Sequence, residues 1–236
     1  MNPSWVLARI LRALVLVLAI GTAGPASAAD LSAEEMLKKS ADIARRFLTI
    51  QQWEGVRNIM GAARAIYIAP EIKSGSLIVG YEGGGGVLLR RHGEEWSDPA
   101  FLDMSRLSVG LQAGVRESDL LLLVMTDRAI DDFISGVSKV SGSGGFALGD
   151  LGVQGSAAGG ASGGLEILVL GTSRGLALGS GIERMTMSDN RSENEKAYGG
   201  GVRVDQVLAA PGSRLAAAAD LRSTLKEAVQ KSRTTK

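Results

Sequence analysis

The chain of 236 residues has no cysteine and a single histidine, His92. It can therefore form no disulfide and no thiolate site, and one imidazole does not make a transition-metal cluster. Aromatic residues amount to only 4% of the chain, which argues against a stacking platform for single-stranded nucleic acid. The Gly-x-x-x-x-Gly-Lys-Ser/Thr phosphate loop is also absent. These absences favour a protein without a cofactor, whose apolar core alone holds the fold together.

An excess of charge of either sign is absent too, with 26 lysines and arginines against 25 aspartates and glutamates. A formal net charge of +1 provides no general attraction to nucleic acid or to an anionic membrane. We therefore expect no nucleic-acid partner. Any anionic ligand must be held by a local group of basic residues.

The longest continuous apolar run, residues 13–20, is too short to span a bilayer comfortably. Arg9 and Arg12 precede this run, and the small residues Ala26-Ser27-Ala28 follow it. This pattern is typical of a Sec-type signal peptide, with an uncleaved N-terminal anchor as the alternative. We predict that residues 1–28 are removed after Ala28. Residues 29–236 would then form a single domain, periplasmic or secreted.

Three segments have the periodicity of amphipathic helices. Ser32 and Glu35 form a capping box that opens the first. Its predicted inner face comprises Met36, Leu37, Ser40, Ile43, Ala44, Phe47 and Leu48. Because acidic residues dilute its basic outer face, we expect this helix to pack on the core rather than lie on a membrane. A second helix is predicted over residues 52–63 and a last one, capped by Ser213, near the C-terminus.

The 32 glycines are spread through apolar runs, which favours bulged, strongly curved strands over disorder. Residues 65–69 are expected to form a strand that ends at Pro70. Residues 77–81 and 87–91 are expected to form a hairpin across a turn of four glycines, residues 83–86.

Residues 105–126 anchor the predicted sheet. Their first half alternates, as in a strand with one apolar face, whereas residues 120–125 are apolar throughout, as in a strand covered on both faces. Between the two halves, Glu117-Ser118-Asp119 predicts a turn. We therefore expect a central hairpin.

Five motifs follow one another along residues 64–207 in a recognisable order. They are Pro70 with Lys73, Gly75 and the glycine run; Trp96-Ser97-Asp98-Pro99-Ala100-Phe101; Ser108 to Gly114 with Ser118-Asp119; Ser173-Arg174-Gly175-Leu176; and Tyr198-Gly199. Together they resemble the SYLF domain family, the Ysc-type lipid-binding domains. The chain departs from the family pattern at Glu82, where a basic residue is usual, at Arg106 and Leu107, where glycine is usual, and at Ala177, where phenylalanine is usual.

The fold expected from the patterns and the resemblance is α+β. It is a curved, mostly antiparallel, glycine-rich sheet approaching a barrel, flanked by N-terminal helices and a C-terminal helix. For residues 141–164, whose composition alone is that of a flexible linker, the resemblance implies strands of small residues.

The resemblance also implies lipid binding. Together with the export signal, it leads us to expect a bacterial exported member of the family that binds anionic phospholipid headgroups at a membrane surface. The predicted lipid-binding residues are basic residues at strand ends or in turns: Lys73, Arg90, Arg91, Arg116 and Arg174. The alternative is a structural or envelope-interaction module that binds protein or glycan without lipid.

Catalysis has little support in the sequence. Residues 160–164 satisfy the Gly-x-Ser-x-Gly pattern of a nucleophile elbow around Ser162. That motif needs a strand before it and a histidine base after it, but glycine and alanine precede it and His92 lies far upstream. We therefore expect no enzymatic activity, with a serine hydrolase as a minor alternative.

Overall fold

The structure, a computed structural model of the chain, describes residues 31–49, 59–76, 79–109, 114–136, 144–148, 153–159, 165–174 and 184–234. Its elements in chain order are α1 (Ala33–Thr49), β1 (Ala65–Ser76), β2 (Val79–His92), β3 (Glu95–Trp96), β4 (Ala100–Val109), β5 (Gly114–Val124), α2 (Asp127–Ile134), β6 (Gly144–Leu148), β7 (Val153–Gly159), β8 (Leu165–Arg174), β9 (Arg184–Asp189), α3 (Arg191–Tyr198), α4 (Val204–Val207), a 3₁₀ turn (Ala216–Ala218) and α5 (Ala219–Thr234). The predicted signal peptide and most of the predicted second helix lie outside the described residues.

The strands form one sheet in the order β6-β7-β8-β5-β1-β2-β4-β9, with β3 paired to β2. Every paired neighbour is antiparallel. The predicted α+β class is confirmed. The sheet is open, because no pairing joins β6 to β9 among the described residues, so it is not closed into a barrel.

Both faces of the sheet are covered by helices. The first core lies between the sheet and α1 and α5, and the second lies under α2 and α4. Alternate residues of one strand enter opposite cores: Ile66 and Ile68 of β1 pack in the first, whereas Tyr67 packs in the second. This explains why the central strands β1 and β5 are apolar at consecutive positions.

Helix α1 begins at the predicted capping box, with the backbone N–H of Glu35 donating to Ser32 Oγ at 3.3 Å and that of Ser32 donating to Glu35 Oε2 at 3.2 Å. Its described inner residues, from Met36 to Phe47, are buried against the sheet. The predicted packing of this helix on the core is confirmed.

The prediction that the first strand ends at Pro70 is wrong. Strand β1 continues to Ser76, and its pairing with both neighbours shifts register between Ile68 and Lys73. This β-bulge accommodates Pro70, which has no N–H to donate, and Glu71, whose φ is +53°. Proline is therefore absorbed by a bulge instead of ending the strand.

The prediction of a glycine turn is also wrong, because residues 83–86 lie inside β2. Glycine is needed there for close approach. A Cβ on Gly86 would lie 2.5 Å from Tyr67 Cζ, and one on Gly85 would lie 2.7 Å from Met36 Cε. The missing side chains let α1 and the tyrosine pack directly against the backbone of β2.

The predicted central hairpin is not formed. Glu117, Ser118 and Asp119 lie within β5, paired with β1 on one side and β8 on the other. Strands β4 and β5 are separated by β1 and β2 in the sheet. Three consecutive polar residues near the end of a strand have the composition of a turn, which explains why a turn was predicted here.

Candidate functional site

The five predicted lipid-binding residues lie at two distant ends of the strands. Lys73 is paired with Glu117 and Glu117 with Arg174, so these three backbones form one row across β1, β5 and β8, about 10 Å wide. Arg116, paired with Ser74, belongs to the next row. The side chains of Arg116 and Arg174 are outside the described part of the structure. The sheet thus brings Lys73, Arg116 and Arg174 to one end.

Arg90 and Arg91 lie at the other end. Arg90 is paired with Ala65, eight residues before Lys73 along β1, which corresponds to roughly 26 Å of strand. One headgroup cannot contact residues this far apart. The expectation of a single basic cluster at one sheet edge is therefore wrong, because these residues lie at opposite ends of the strands.

The end that contains Lys73 borders an open pocket of about 360 Å³ between α1, the bulge of β1 and β5. Its lining contains two basic residues, Lys39 and Arg46, against four carboxylates: Asp42, Glu71, Glu117 and Asp119. Lys39 pairs with Glu71, and Arg46 Nη2 lies 2.6 Å from Asp119 Oδ2. The two basic residues that line this pocket are thus already neutralised, and the excess charge is negative, which disfavours an anionic headgroup there.

The other end has an excess of positive charge. Arg64 Nη1 lies 3.1 Å from Asp127 Oδ2 and Arg90 Nη2 lies 3.0 Å from Asp127 Oδ1, so two guanidinium groups share one carboxylate. We call these three residues the arginine patch. Their side chains are 57%, 35% and 50% exposed for Arg64, Arg90 and Asp127, so solvent and ligands can reach them. The exposed Arg128 follows directly in the sequence.

Backbone hydrogen bonds fix the two arginines. The N–H of Arg64 donates to the carbonyl of Val124 at 2.8 Å, at the start of β1. The N–H of Arg90 donates to Ser97 Oγ at 2.9 Å, and its carbonyl accepts from the N–H of Ser97 at 2.8 Å. The patch is therefore built on rigid strand ends and not on a loop.

Asp127 stands in the first turn of α2. Thr126 caps this helix, with its side-chain oxygen accepting from the N–H of Ala129 at 3.2 Å. The positive end of the helix dipole therefore adds to the arginines, while Asp131 and Asp132 confine the positive region to the beginning of the helix. Two guanidinium groups beside a helix N-terminus suit an anion with several oxygens, such as a phosphate.

Arg91 has a different environment although it is next in sequence. Its guanidinium donates to the carbonyls of Gly61 and Ala62, in the helical turn before β1. Neighbouring strand residues point to opposite faces, so Arg91 is directed away from the patch. It ties that turn to β2.

The Trp96–Phe101 motif has a structural role. The buried carboxylate of Asp98 accepts from the N–H groups of Ser213, Arg214 and Leu215 at 3.1, 2.9 and 3.3 Å, and from Arg222 Nη1 at 2.5 Å. It thereby anchors the segment that leads into α5. The carbonyl of Pro99 accepts from the hydroxyl of Tyr198 at 2.5 Å, so this motif is joined to the Tyr-Gly motif.

Side chains suited to catalysis are few in the described part of the chain. Ser162 lies outside it. His92 Nε2 lies 2.9 Å from the carbonyl of Leu208, a contact that holds the end of α4 against β2. Burial raises the pKa of the Tyr67 and Tyr198 hydroxyls, which are therefore neutral. No His, Cys, Asp and Glu cluster suited to a metal ion occurs among the described residues.

No helix within the described ranges is both long enough and apolar enough to cross a membrane.

The predicted binding residues included neither Arg64 nor Asp127. The pairing of Ala65 with Arg90 places Arg64 opposite Arg91 and one position from Arg90, and the side chains of Arg64 and Arg90 then meet at Asp127. Both arginines flank predicted strand segments in the sequence, but their proximity can be predicted only once the register of β1 on β2 is known.

The profile of the family described as "Ysc84: Las17-binding protein actin regulator" matches residues 105–228, just over half of the chain. The match extends into α5, further than the sequence motifs reach. No solved structure matches the chain significantly.

Curated relatives share a quarter to a third of their aligned residues with this chain. SH3 domain-containing YSC84-like protein 1 of Homo sapiens is 30% identical over 202 residues, 82% of this chain and 58% of the human protein. Protein YSC84 of Saccharomyces cerevisiae is 28% identical over 170 residues, 69% of this chain and 36% of the yeast protein. LAS seventeen-binding protein 3 of the same yeast is 26% identical over 179 residues, 72% of this chain and 39% of that protein. The chain thus spans less than two thirds of each relative, and it belongs to the Ysc84/SYLF family.

Proposed function

We propose that this protein binds anionic phospholipid headgroups at a membrane surface, without catalysis, through the arginine patch. The observation that carries the proposal is that Arg64 and Arg90 share the single carboxylate of Asp127, which leaves one positive charge in excess on rigid strand ends. A basic residue near an anionic membrane contributes about 1 kcal/mol. A few such contacts with some apolar contact give an affinity in about the micromolar range.

The patch replaces the five residues expected from the sequence as the proposed contact region, and it retains Arg90 from them. Lys73, Arg116 and Arg174 are assigned at most a secondary contact, because the pocket beside Lys73 is rich in carboxylates. The protein would bind the membrane through a charged surface that already exists in the fold, so no residue needs to change its protonation state.

Sedimentation with vesicles tests the proposal. At low salt, protein should be enriched on vesicles that contain phosphatidylglycerol and not on neutral phosphatidylcholine vesicles. The double variant Arg64→Glu/Arg90→Glu should lose this enrichment. The double variant Arg191→Glu/Lys231→Glu is the matched control, since it also reverses two basic side chains, which are 80% exposed on α3 and 67% exposed on α5. Equal sedimentation of Arg64→Glu/Arg90→Glu and the wild type would remove the arginine patch from the proposal, and no enrichment of the wild type would remove lipid binding.

Export is the second part of the proposal. Residues 1–28 would direct the chain out of the cytoplasm and be removed after Ala28, so that a bacterial host would hold it in the periplasm or secrete it. The intact mass of protein recovered from outside the cytoplasm should correspond to a chain that begins at Ala29. A mass that includes residues 1–28 would contradict cleavage and favour the uncleaved anchor.

A protein partner is the alternative function, and the family description and the name of LAS seventeen-binding protein 3 favour it. Capture of an envelope protein by the wild type and by Arg64→Glu/Arg90→Glu alike, without lipid, would support this alternative. Capture that disappears together with vesicle binding would support the lipid proposal.

A further inference from the structure

Residues 208–215, which we call the strap, cross one end of the sheet from the second core to the first. Leu208 packs in the second core, whereas α5, which follows the strap, packs in the first. His92 Nε2 lies 2.9 Å from the carbonyl oxygen of Leu208, and the N–H of Gly212 donates to the carbonyl of Trp96 at 2.9 Å. The strap therefore lies over the ends of β2 and β3, at the end of the sheet that carries the arginine patch.

The outer side of the strap is exposed and contains no carboxylate. Residues 209–211, Ala-Ala-Pro, are exposed, and residues 206–219 contain one charged residue, Arg214. The strap contacts His92, which lies two positions after Arg90 on β2, so the side chains of these two residues point to the same side of the sheet. The exposed apolar residues thus lie next to the arginine patch.

Arg214 repeats the charge pattern of the patch. It shares the carboxylate of Asp98 with Arg222, because Arg222 Nη1 lies 2.5 Å from Oδ1 and Arg214 Nε lies 4.0 Å from Oδ2. Two guanidinium groups on one carboxylate again leave one positive charge in excess. Asp98 is buried, whereas the side chain of Arg214 is 52% exposed and lies over the ring of Tyr198, with its Cζ 4.9 Å from the ring centroid. The excess charge therefore reaches the surface at Arg214.

Carboxylates limit this basic surface on the side of the first core. Glu94 and Glu95 lie at the turn between β2 and β3, and Glu95 pairs with Lys226 of α5. An anionic bilayer is repelled by carboxylates that outnumber their basic partners. The surface suited to such a bilayer is therefore the part of the sheet end that the strap and the arginine patch form together.

We infer that the strap docks on an anionic bilayer together with the arginine patch, an inference that rests on the proposed lipid binding. Arg64, Arg90 and Arg214 contact lipid phosphates, and residues 209–211 enter the headgroup region between these two basic groups. Small uncharged side chains can enter that region without the cost of desolvating a charge. The strands are then oriented with this end toward the membrane, and the end that contains Lys73 points away from it.

A fluorescent label in the strap tests this orientation, because the absence of cysteine makes a single label unique. Ala210→Cys and, as the control, Thr186→Cys each carry the environment-sensitive fluorophore NBD. Thr186 is exposed and pairs with Ser105, which is five residues, or about 17 Å, along β4 from its first residue, Ala100. With phosphatidylglycerol vesicles, the emission of the label at residue 210 should shift to shorter wavelength, and that of the label at residue 186 should not.

Sedimentation of the same labelled proteins separates the two kinds of failure. Co-sedimentation without a shift at residue 210, or with a shift at residue 186 instead, would overturn the orientation and leave lipid binding intact. No co-sedimentation of the unlabelled wild type would overturn the proposed function and the orientation with it. Loss of co-sedimentation on labelling residue 210 alone would support a contact at the strap. Far-UV circular dichroism establishes that the labelled proteins are folded, and Ala209→Cys replaces Ala210→Cys if the latter is not.

Substitution of Arg214 tests the second basic group. Arg214→Gln removes one positive charge and should lower the affinity for these vesicles about fivefold, whereas Arg214→Lys should keep it close to that of the wild type. Lys38→Gln is the matched control, since it removes a basic side chain from an exposed position on α1 and should change the affinity little. An unchanged affinity of Arg214→Gln, or equal losses in Arg214→Gln and Lys38→Gln, would overturn the assignment of Arg214 to the docking surface.

Discussion

Replacing Asp127 by asparagine should strengthen binding to anionic vesicles, although it removes the carboxylate that accepts two ion pairs. Asp127 neutralises one of the two arginines in the patch. Its removal raises the local charge by one unit, worth about 1 kcal/mol near an anionic surface. Because 1.4 kcal/mol corresponds to a factor of ten, affinity should rise about fivefold.

The opposite change should have the opposite effect. Arg90→Gln removes one unit of positive charge and should weaken binding about fivefold by the same arithmetic. The double variant Asp127→Asn/Arg90→Gln should return close to the wild type. Such compensation distinguishes a charge excess from a requirement for intact ion pairs.

The assay is a titration with phosphatidylglycerol-containing vesicles at low and at high salt. The differences between variants should shrink at high salt, because exposed charges are screened. Asp220→Asn is the matched control: it removes the carboxylate of another exposed pair, with Arg45, on the opposite face of the sheet. If Asp127→Asn and Arg90→Gln both weaken binding, the geometry of the pairs matters and the charge-excess reasoning is refuted.

Three further predictions concern the fold. Gly86→Ala should lower the free energy of unfolding in urea by about 3 kcal/mol, because its Cβ would lie 2.5 Å from Tyr67 Cζ and 2.6 Å from the carbonyl oxygen of Ile68. Gly200→Ala is the control and should change the free energy of unfolding little, because its Cβ would have no neighbouring atom within 4 Å. Equal effects of the two changes would contradict the packing argument. Asp98→Ala should lower the free energy of unfolding by about 3 kcal/mol, because it leaves the guanidinium of Arg222, whose side chain is 16% exposed, without its carboxylate partner. A decrease of less than about 1 kcal/mol would show that solvent replaces the carboxylate of Asp98. Burial raises the pKa of the Tyr67 hydroxyl in the folded state. The contribution of Tyr67 to the free energy of unfolding is therefore complete below the pKa of tyrosine in the unfolded chain, about 10, and is lost as the pH rises above that value. Between pH 9 and pH 11 the wild type should therefore lose more unfolding free energy than Tyr67→Phe, and equal losses would contradict this assignment.

Local chemistry predicted some elements well. The capping box and inner face of α1 follow from side-chain hydrogen bonding and helical periodicity, both of which act within a few residues. The small-residue strands β6 and β7 were expected from the family resemblance, where composition alone indicated a linker.

Errors arose where a distant segment decides the local structure. The glycines of β2 resemble a turn until Tyr67 and Met36 are seen to occupy the space above them. Pro70 resembles a strand end until both neighbours of β1 shift register around it. For the same reason the strand register, which no local pattern specifies, decided which arginines lie together.

The docking of α5 has a consequence for how the chain acquires its fold. Residues near both ends of the described domain build the first core, with Phe47 of α1 and Leu225 of α5 in one cluster, and Asp98 anchors the segment before α5 from the middle of the chain. Contacts this far apart in sequence form late and slowly. A nascent polypeptide in which α5 has not yet been synthesised would leave α1 without its cover, so this layer of the fold closes only after α5 has been made.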